Sequence, residues 1–277
     1  MNSTYESGGA RLAFSETGAG IPVVFLHPTP LDGDYWRQAI EQLAGVYAVV
    51  PDLRGHGASA LGARLPVGQF ARVPDAPALT MEQLAADTLL LLDRLDIASA
   101  FFAGCSIGGY VLLELWRRAP KRMRGLAFVC SKPQPDAEAN LAKRAATIAA
   151  ARAEGVTKLF DGMAQNLVGA SARQRQPQIV PEVRARMTLS VEALVAVQAG
   201  LAVRPDSVPT VATINVPVLA IAGGEDTAVS PAEMEAFRAA PGGCEFHLLP
   251  DAGHLAAYEQ PRQIAALLAD WLRRHAR

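Results

Sequence analysis

Short, mostly unbroken apolar runs, separated by helical patterns, restrict the fold of this chain more than any other feature. Ile21–Leu26 is the clearest run. Tyr47–Val50, Ala100–Ala103, Gly125–Cys130, Val216–Ala222 and Glu245–Leu249 follow it. Apolar runs without polar alternation suit strands covered on both faces, the habit of parallel sheets. Near the N-terminus, Tyr5–Ser7 and Arg11–Phe14 flank the turn signal Gly8-Gly9, as in a hairpin. Helical patterns lie between the runs. Thr80-Met81-Glu82-Gln83 reads as a capping box opening a helix through Leu95. Gly109–Arg118 is a second helix, Ser230-Pro231-Ala232-Glu233 opens a third, and a fourth runs from Pro261 to the C-terminus. This alternation predicts an α/β fold with a mostly parallel eight-stranded sheet and helices on both faces.

One stretch breaks the alternation. Residues 132–210 contain only helical patterns, over Asp136–Glu154, Thr157–Leu167 and Ser190–Val203. A structureless loop of that length is implausible in a compact domain. The expected organisation is a core of 1–131 and 211–277 with an inserted helical cap, 132–210. A smaller insertion bearing Pro and Gly is expected at Leu61–Leu79.

Composition narrows the partners. Half of the 277 residues are apolar, so a sizeable core can be buried. Lys+Arg at 26 nearly cancels Asp+Glu at 27, which leaves no basic surplus for a nucleic acid. No run approaches the roughly 18 uncharged apolar residues of a membrane span. Met1–Gly9 is polar and without the apolar stretch of a secretory signal. Cys105, Cys130 and Cys244 are odd in number and widely spaced. They form neither a disulfide framework nor a metal set, so reduced thiols and a cytoplasmic location are expected. No cofactor fingerprint is present.

The chemistry concentrates at Gly104-Cys105-Ser106-Ile107-Gly108, a G-x-S-x-G between an apolar strand and a helix. A serine there must sit in a sharp turn, its hydroxyl above the sheet edge. Flanking glycines remove side chains that would clash across the turn, and the helix start favours negative charge. With this motif, the chain resembles the α/β-hydrolase family, whose order is serine, acid, histidine. Gly223-Gly224-Glu225-Asp226-Thr227 stands where the family places its acid. Asp251-Ala252-Gly253-His254-Leu255, with Glu259 and Pro261 behind it, stands where it places its base. His27-Pro28-Thr29-Pro30 is similar to the oxyanion loop, and Asp52–Ser59 to the structural loop after the next strand.

The resemblance implies a catalytic set of Ser106, Asp226 and His254. Of the five histidines, His254 lies in the loop after the last strand, where an imidazole can reach Ser106. His56 and His247 are read as architectural, His275 as solvated, and His27 as a brace for the oxyanion loop. Asp226 is favoured over its neighbour Glu225 because it matches the family position and is shorter. Oxyanion donors are expected from the amides of Ile107 and Thr29. The usual glycine after the loop histidine is Pro28, and Pro30 also lacks a donor, so only Thr29 retains an N–H in that tripeptide. Cys105 is read as packing, not as a nucleophile.

The expected function is a cofactor-free serine hydrolase. Its substrate is a small, largely apolar ester, thioester, lactone or activated amide in an apolar cleft between cap and core. The same fold and triad also serve carbon–carbon cleavage, acyl elimination or cyclisation of a natural-product intermediate. A non-catalytic small-molecule receptor is a third reading, against which the intact serine, acid and histidine weigh. Neither substrate-binding residues nor oligomeric state can be read from the sequence.

Overall fold

The computed structural model describes residues 3–276. Met1, Asn2 and Arg277, at the ends of the expected core segments, lie outside the described residues. The first half contains strands β1 (Ser3–Ser7), β2 (Ala10–Gly18), β3 (Ile21–Leu26), β4 (Val46–Pro51), β5 (Ala100–Cys105) and β6 (Met123–Val129). Its helices are α1 (Arg37–Ile40), α2 (Met81–Arg94) and α3 (Ile107–Arg118). Between β6 and the next strand stand α4 (Glu138–Glu154), α5 (Thr157–Leu167), α6 (Ala170–Arg175), α7 (Ile179–Ala185), α8 (Val191–Ala202) and α9 (Val208–Val211). The chain closes with β7 (Val218–Gly223), α10 (Pro231–Met234), β8 (Cys244–Leu249), α11 (Ala256–Glu259) and α12 (Pro261–His275).

All eight strands form one sheet in the order β1-β2-β4-β3-β5-β6-β7-β8. The first two pairings, β1–β2 and β2–β4, are antiparallel and the remaining five are parallel. Every residue of β5 and β7 is buried, as expected for central strands covered on both faces. Leu26 pairs with Gly104 and Cys105 with Val129. The carboxyl ends of β3, β5 and β6 therefore stop level, and the loops leaving them meet at one edge. Ligands of open parallel sheets bind at this edge.

The helices pack as their apolar stripes dictate. Trp271 of α12 meets Phe101 edge-to-face at 5.3 Å. Gly125 leaves the space for this pair, because a Cβ there would lie 2.8 Å from Phe101 and 2.9 Å from Trp271. The capping box at Ser230 is complete, with Glu233 returning the bond to the Ser230 backbone. At Thr80 only half of it forms, since Gln83 turns its side chain to Asp87. α3 starts at Ile107, two residues earlier than the sequence pattern suggests.

Among the described residues of 132–210 there is no strand. This segment holds α6 and α7 in addition to the three long helices foreseen. Both are short, and α7 carries Pro181 in its first turn, so neither shows a long apolar period. No helix among the described residues is long and apolar enough to cross a membrane.

Candidate active site

β5 ends at Cys105 and α3 begins at Ile107, so the chain reverses on Ser106 alone. Ser106 has φ 52° and ψ −116°. A side chain rarely adopts such a backbone, and the surroundings hold it there. Ser106 N–H donates to Val129 O at 3.1 Å. Ser106 O accepts from the amides of Gly109 and Tyr110 and from the Ser131 hydroxyl. Both motif glycines are sterically required. A Cβ on Gly104 would lie 2.5 Å from the Gly108 carbonyl carbon, and one on Gly108 2.3 Å from Leu26 O.

Cys105 turns the other way. Its thiol is fully buried, accepts from the Tyr35 hydroxyl at 3.2 Å and lies 3.7 Å from His254 O. Burial pushes the thiol far above its ordinary pKa, which removes the thiolate that cysteine chemistry needs. Its role is packing behind the turn.

His254 follows β8, and Asp226 follows β7. Nδ1 of His254 lies 2.8 Å from Oδ2 of Asp226. The other carboxylate oxygen accepts the amides of Ala228 and Val229 at 2.8 and 3.0 Å, which fixes the carboxylate in place. In the neutral ring, a proton on Nδ1 leaves Nε2 as a proton acceptor. Burial alone would lower the imidazole pKa, but the Asp226 carboxylate outweighs it and the net shift is upward. Glu225 faces elsewhere: its carboxylate binds the amide and hydroxyl of Ser171 at 2.9 and 2.5 Å, at the start of α6.

Glu259 supports the histidine loop. Its buried carboxylate accepts the amides of Gly253 at 2.8 Å and of Leu255 and Gly169 at 3.1 Å. Burial raises its pKa, against the lowering effect of the three N–H groups. His254 N–H itself donates to Leu167 O at 2.9 Å.

Thr29 stands on the loop after β3, and its hydroxyl is engaged within the protein. His56 Nδ1 donates to Arg54 O at 3.0 Å, so the neutral ring accepts the Thr29 hydroxyl at Nε2, also 3.0 Å. His27 braces the same loop, with Nδ1 donating to Pro28 O and Nε2 accepting Leu53 N–H. Burial lowers the pKa of His27 to about 4 and of His56 to about 3. Both are therefore neutral struts at neutral pH. Among the described residues, neither the Thr29 nor the Ile107 amide has a backbone partner. Of the remaining histidines, His247 is half-buried in β8, while His275 pairs with Glu245 at 3.2 Å instead of facing only solvent.

Thr29, Ser106 and His254 line one cavity of about 340 Å³, walled on the far side by α4, α5 and α8. Met163, Leu167, Leu194 and Leu201 supply its apolar surface. Lys132, Asp136, Lys143, Arg144 and Gln198 also line it. The expected apolar cleft is thus corrected to one with a charged wall. In sequence, Lys143 and Arg144 look like the solvated face of an amphipathic helix, and periodicity does not show what lies opposite a face. Tyr110, one turn into α3, also lines the cavity and was not foreseen. Among the described residues no group of three or more His, Cys, Asp or Glu is placed to hold a metal ion.

A mostly parallel sheet with a serine on a strained strand-to-helix turn, sharing a cavity with a histidine that is paired to an aspartate from another later loop, defines the α/β-hydrolase class. The model of the alpha/beta hydrolase family matches residues 23–267, and the chain belongs to that family. A thermophilic esterase from Thermogutta terrifontis, solved with malate bound, is 30% identical with a TM-score of 0.88, over 99% of both chains. The enol-lactonase from Burkholderia xenovorans is 25% identical with a TM-score of 0.85, over 98% of this chain and 100% of that one. The dihydrolipoyllysine-residue acetyltransferase component of the acetoin cleaving system from Cupriavidus necator is 30% identical over 94% of this chain. The chain spans 66% of that protein's length and 37% of another curated relative's.

Proposed function

We propose that this chain is a serine hydrolase of carboxylic esters or lactones, acting through an acyl-enzyme on Ser106. The observation that carries this reading is the strained turn at Ser106, which shares a cavity with an imidazole whose Nδ1 is bound to Asp226. The esterase and enol-lactonase among its structural neighbours support ester or lactone as the substrate.

In this mechanism His254 Nε2 takes the Ser106 proton as the hydroxyl oxygen attacks the substrate carbonyl. Asp226 holds the tautomer and stabilises the imidazolium that forms. The amides of Ile107 and Thr29 receive the oxyanion, each worth about 3–4 kcal/mol in the transition state. His254 then protonates the leaving oxygen. Water, deprotonated by the same histidine, hydrolyses the acyl-enzyme. The segment 132–210 acts as the cap over a core of 1–131 and 211–277.

Labelling with a fluorophosphonate, followed by turnover of p-nitrophenyl esters of graded chain length, tests the reading. The expected result is a single adduct on the Ser106 peptide and loss of nearly all turnover in Ser106→Ala and in His254→Ala alike. Near-normal turnover by Ser106→Ala would overturn the covalent mechanism.

A further inference from the structure

The charged wall of the cavity is not internally neutral. Asp136, just ahead of α4, binds two arginines. Its Oδ1 accepts from Arg204 Nη1 at 2.8 Å, and its Oδ2 from Arg144 Nε. Two guanidiniums therefore share one carboxylate, in a place where the Arg204 and Asp136 side chains are 3% and 2% exposed. Arg204 is structural. It also donates to Leu201 O and Gln134 O, and it stacks 4.4 Å over the Tyr110 ring.

Arg144 is placed differently, because it lines the cavity. It donates through Nη1 to Gln198 Oε1 at 2.9 Å, and neither that bond nor the one to Asp136 engages Nη2. Lys143, the residue before it, lines the same cavity and has no ion pair among the described residues. Lys132 adds no surplus, since Glu233 neutralises it at 2.5 Å. Lys143 is exposed at the rim, whereas the Arg144 side chain is only 18% exposed, and positive charge so placed is costly unless anions surround it. A guanidinium edge is shaped for the two oxygens of a carboxylate. The nucleophile is close by: Tyr110, under Arg204, donates its amide to Ser106 O at 3.2 Å.

We infer that the cavity accepts esters or lactones carrying a second, ionised carboxylate, bound by Arg144 and Lys143 while the reacting carbonyl sits at Ser106. This rests on Ser106 being the nucleophile. Met163, Leu167, Leu194 and Leu201 would then cover a short carbon chain between the two ends.

The test compares p-nitrophenyl valerate with the p-nitrophenyl half-ester of glutarate, whose acyl chains match in length and differ in terminal charge. Background hydrolysis is subtracted using Ser106→Ala. The expected kcat/KM favours the half-ester by about tenfold, the ratio falling as NaCl is raised. Arg144→Gln leaves Arg204 and Asp136 as a one-to-one pair, so the fold is retained. It and Lys143→Gln should each lower the half-ester/valerate ratio several-fold, and the double variant should remove the preference. Lys158→Gln, which deletes an exposed cation on α5, is the control and should keep the ratio. Equal or faster hydrolysis of valerate by the wild type, or an undiminished ratio in the double variant, would overturn the inference and leave the hydrolase reading intact. If neither ester is turned over, the hydrolase reading fails, and calorimetric titration with glutarate decides the anion site. Binding by the wild type that is lost in the double variant sustains it; no binding by the wild type overturns it.

Discussion

Glu225 and Asp226 are adjacent in the chain, yet their carboxylates serve different structures: Asp226 binds His254 at 2.8 Å, and Glu225 binds Ser171 at 2.5 Å. Only one of them faces the imidazole. Asp226→Asn should therefore retain the fold and cost about 10⁴ in kcat, because an amide no longer selects the tautomer. Glu225→Gln should cost less than about tenfold. Steady-state kinetics of the two variants checks the ranking, and the reverse order would refute it.

The same pairing sets the pH dependence of turnover. On the proposed mechanism His254 acts as a base only when neutral, and Asp226 holds its pKa above the ordinary 6.5. The acid limb of kcat/KM should accordingly lie above pH 6.5. In Asp226→Asn, burial acts without the opposing carboxylate, so the limb of the residual activity should move to lower pH. A limb that stays put would show that Asp226 does not set the histidine's charge.

Stability should respond to acid through another pair of histidines. His27 and His56 titrate near 4 and near 3 in the folded protein, both below the ordinary imidazole value of 6.5. Between pH 6.5 and about 4 the unfolded chain takes up protons that the folded chain refuses. Stability is thus lost as pH falls through that window, by about 1.4 kcal/mol per pH unit for each histidine. Urea unfolding across pH 4–7 reads the slope. His56→Gln should lose less on acidification than the wild type, whatever its stability at pH 7, and equal slopes would contradict the assignment.

Glu259 offers a test of positioning. Its carboxylate accepts three amides, two from the histidine loop and one from Gly169. Glu259→Gln keeps the shape but halves the acceptors, and should cost about 2–3 kcal/mol. Chemical denaturation measures this. An unchanged midpoint would mean that the loop is held by other contacts.

Much of this architecture is legible in the sequence because strands buried on both faces are written as continuous apolar runs. Ile21–Leu26 keeps the bounds expected for it, and other edges move by a few residues. The surroundings of Ser106 are legible for a steric reason, since Gly104 and Gly108 can be nothing larger. What stayed hidden depends on partners distant in the chain. The Thr29 hydroxyl meets a histidine 27 residues away, and Arg144 meets Gln198 54 residues away. No local pattern encodes either contact. Lys143 is exposed on α4, but Arg144 is drawn inward by Gln198 of α8, which only the fold places opposite it.

The stretch from Leu167 to Ser171 touches both later loops of the site. Leu167 O holds the His254 amide, Gly169 N–H meets Glu259, and Ser171 meets Glu225. An engineer who wished to change specificity by transplanting the helices of a relative would have to leave these five residues behind as part of the host. A graft that replaced them would disturb the histidine before any new substrate arrived. Exchange confined to α4 would leave that joint untouched, whereas α8 has a joint of its own, with Ala196 O accepting the Leu79 amide and Gly200 pressed against the Leu79 carbonyl.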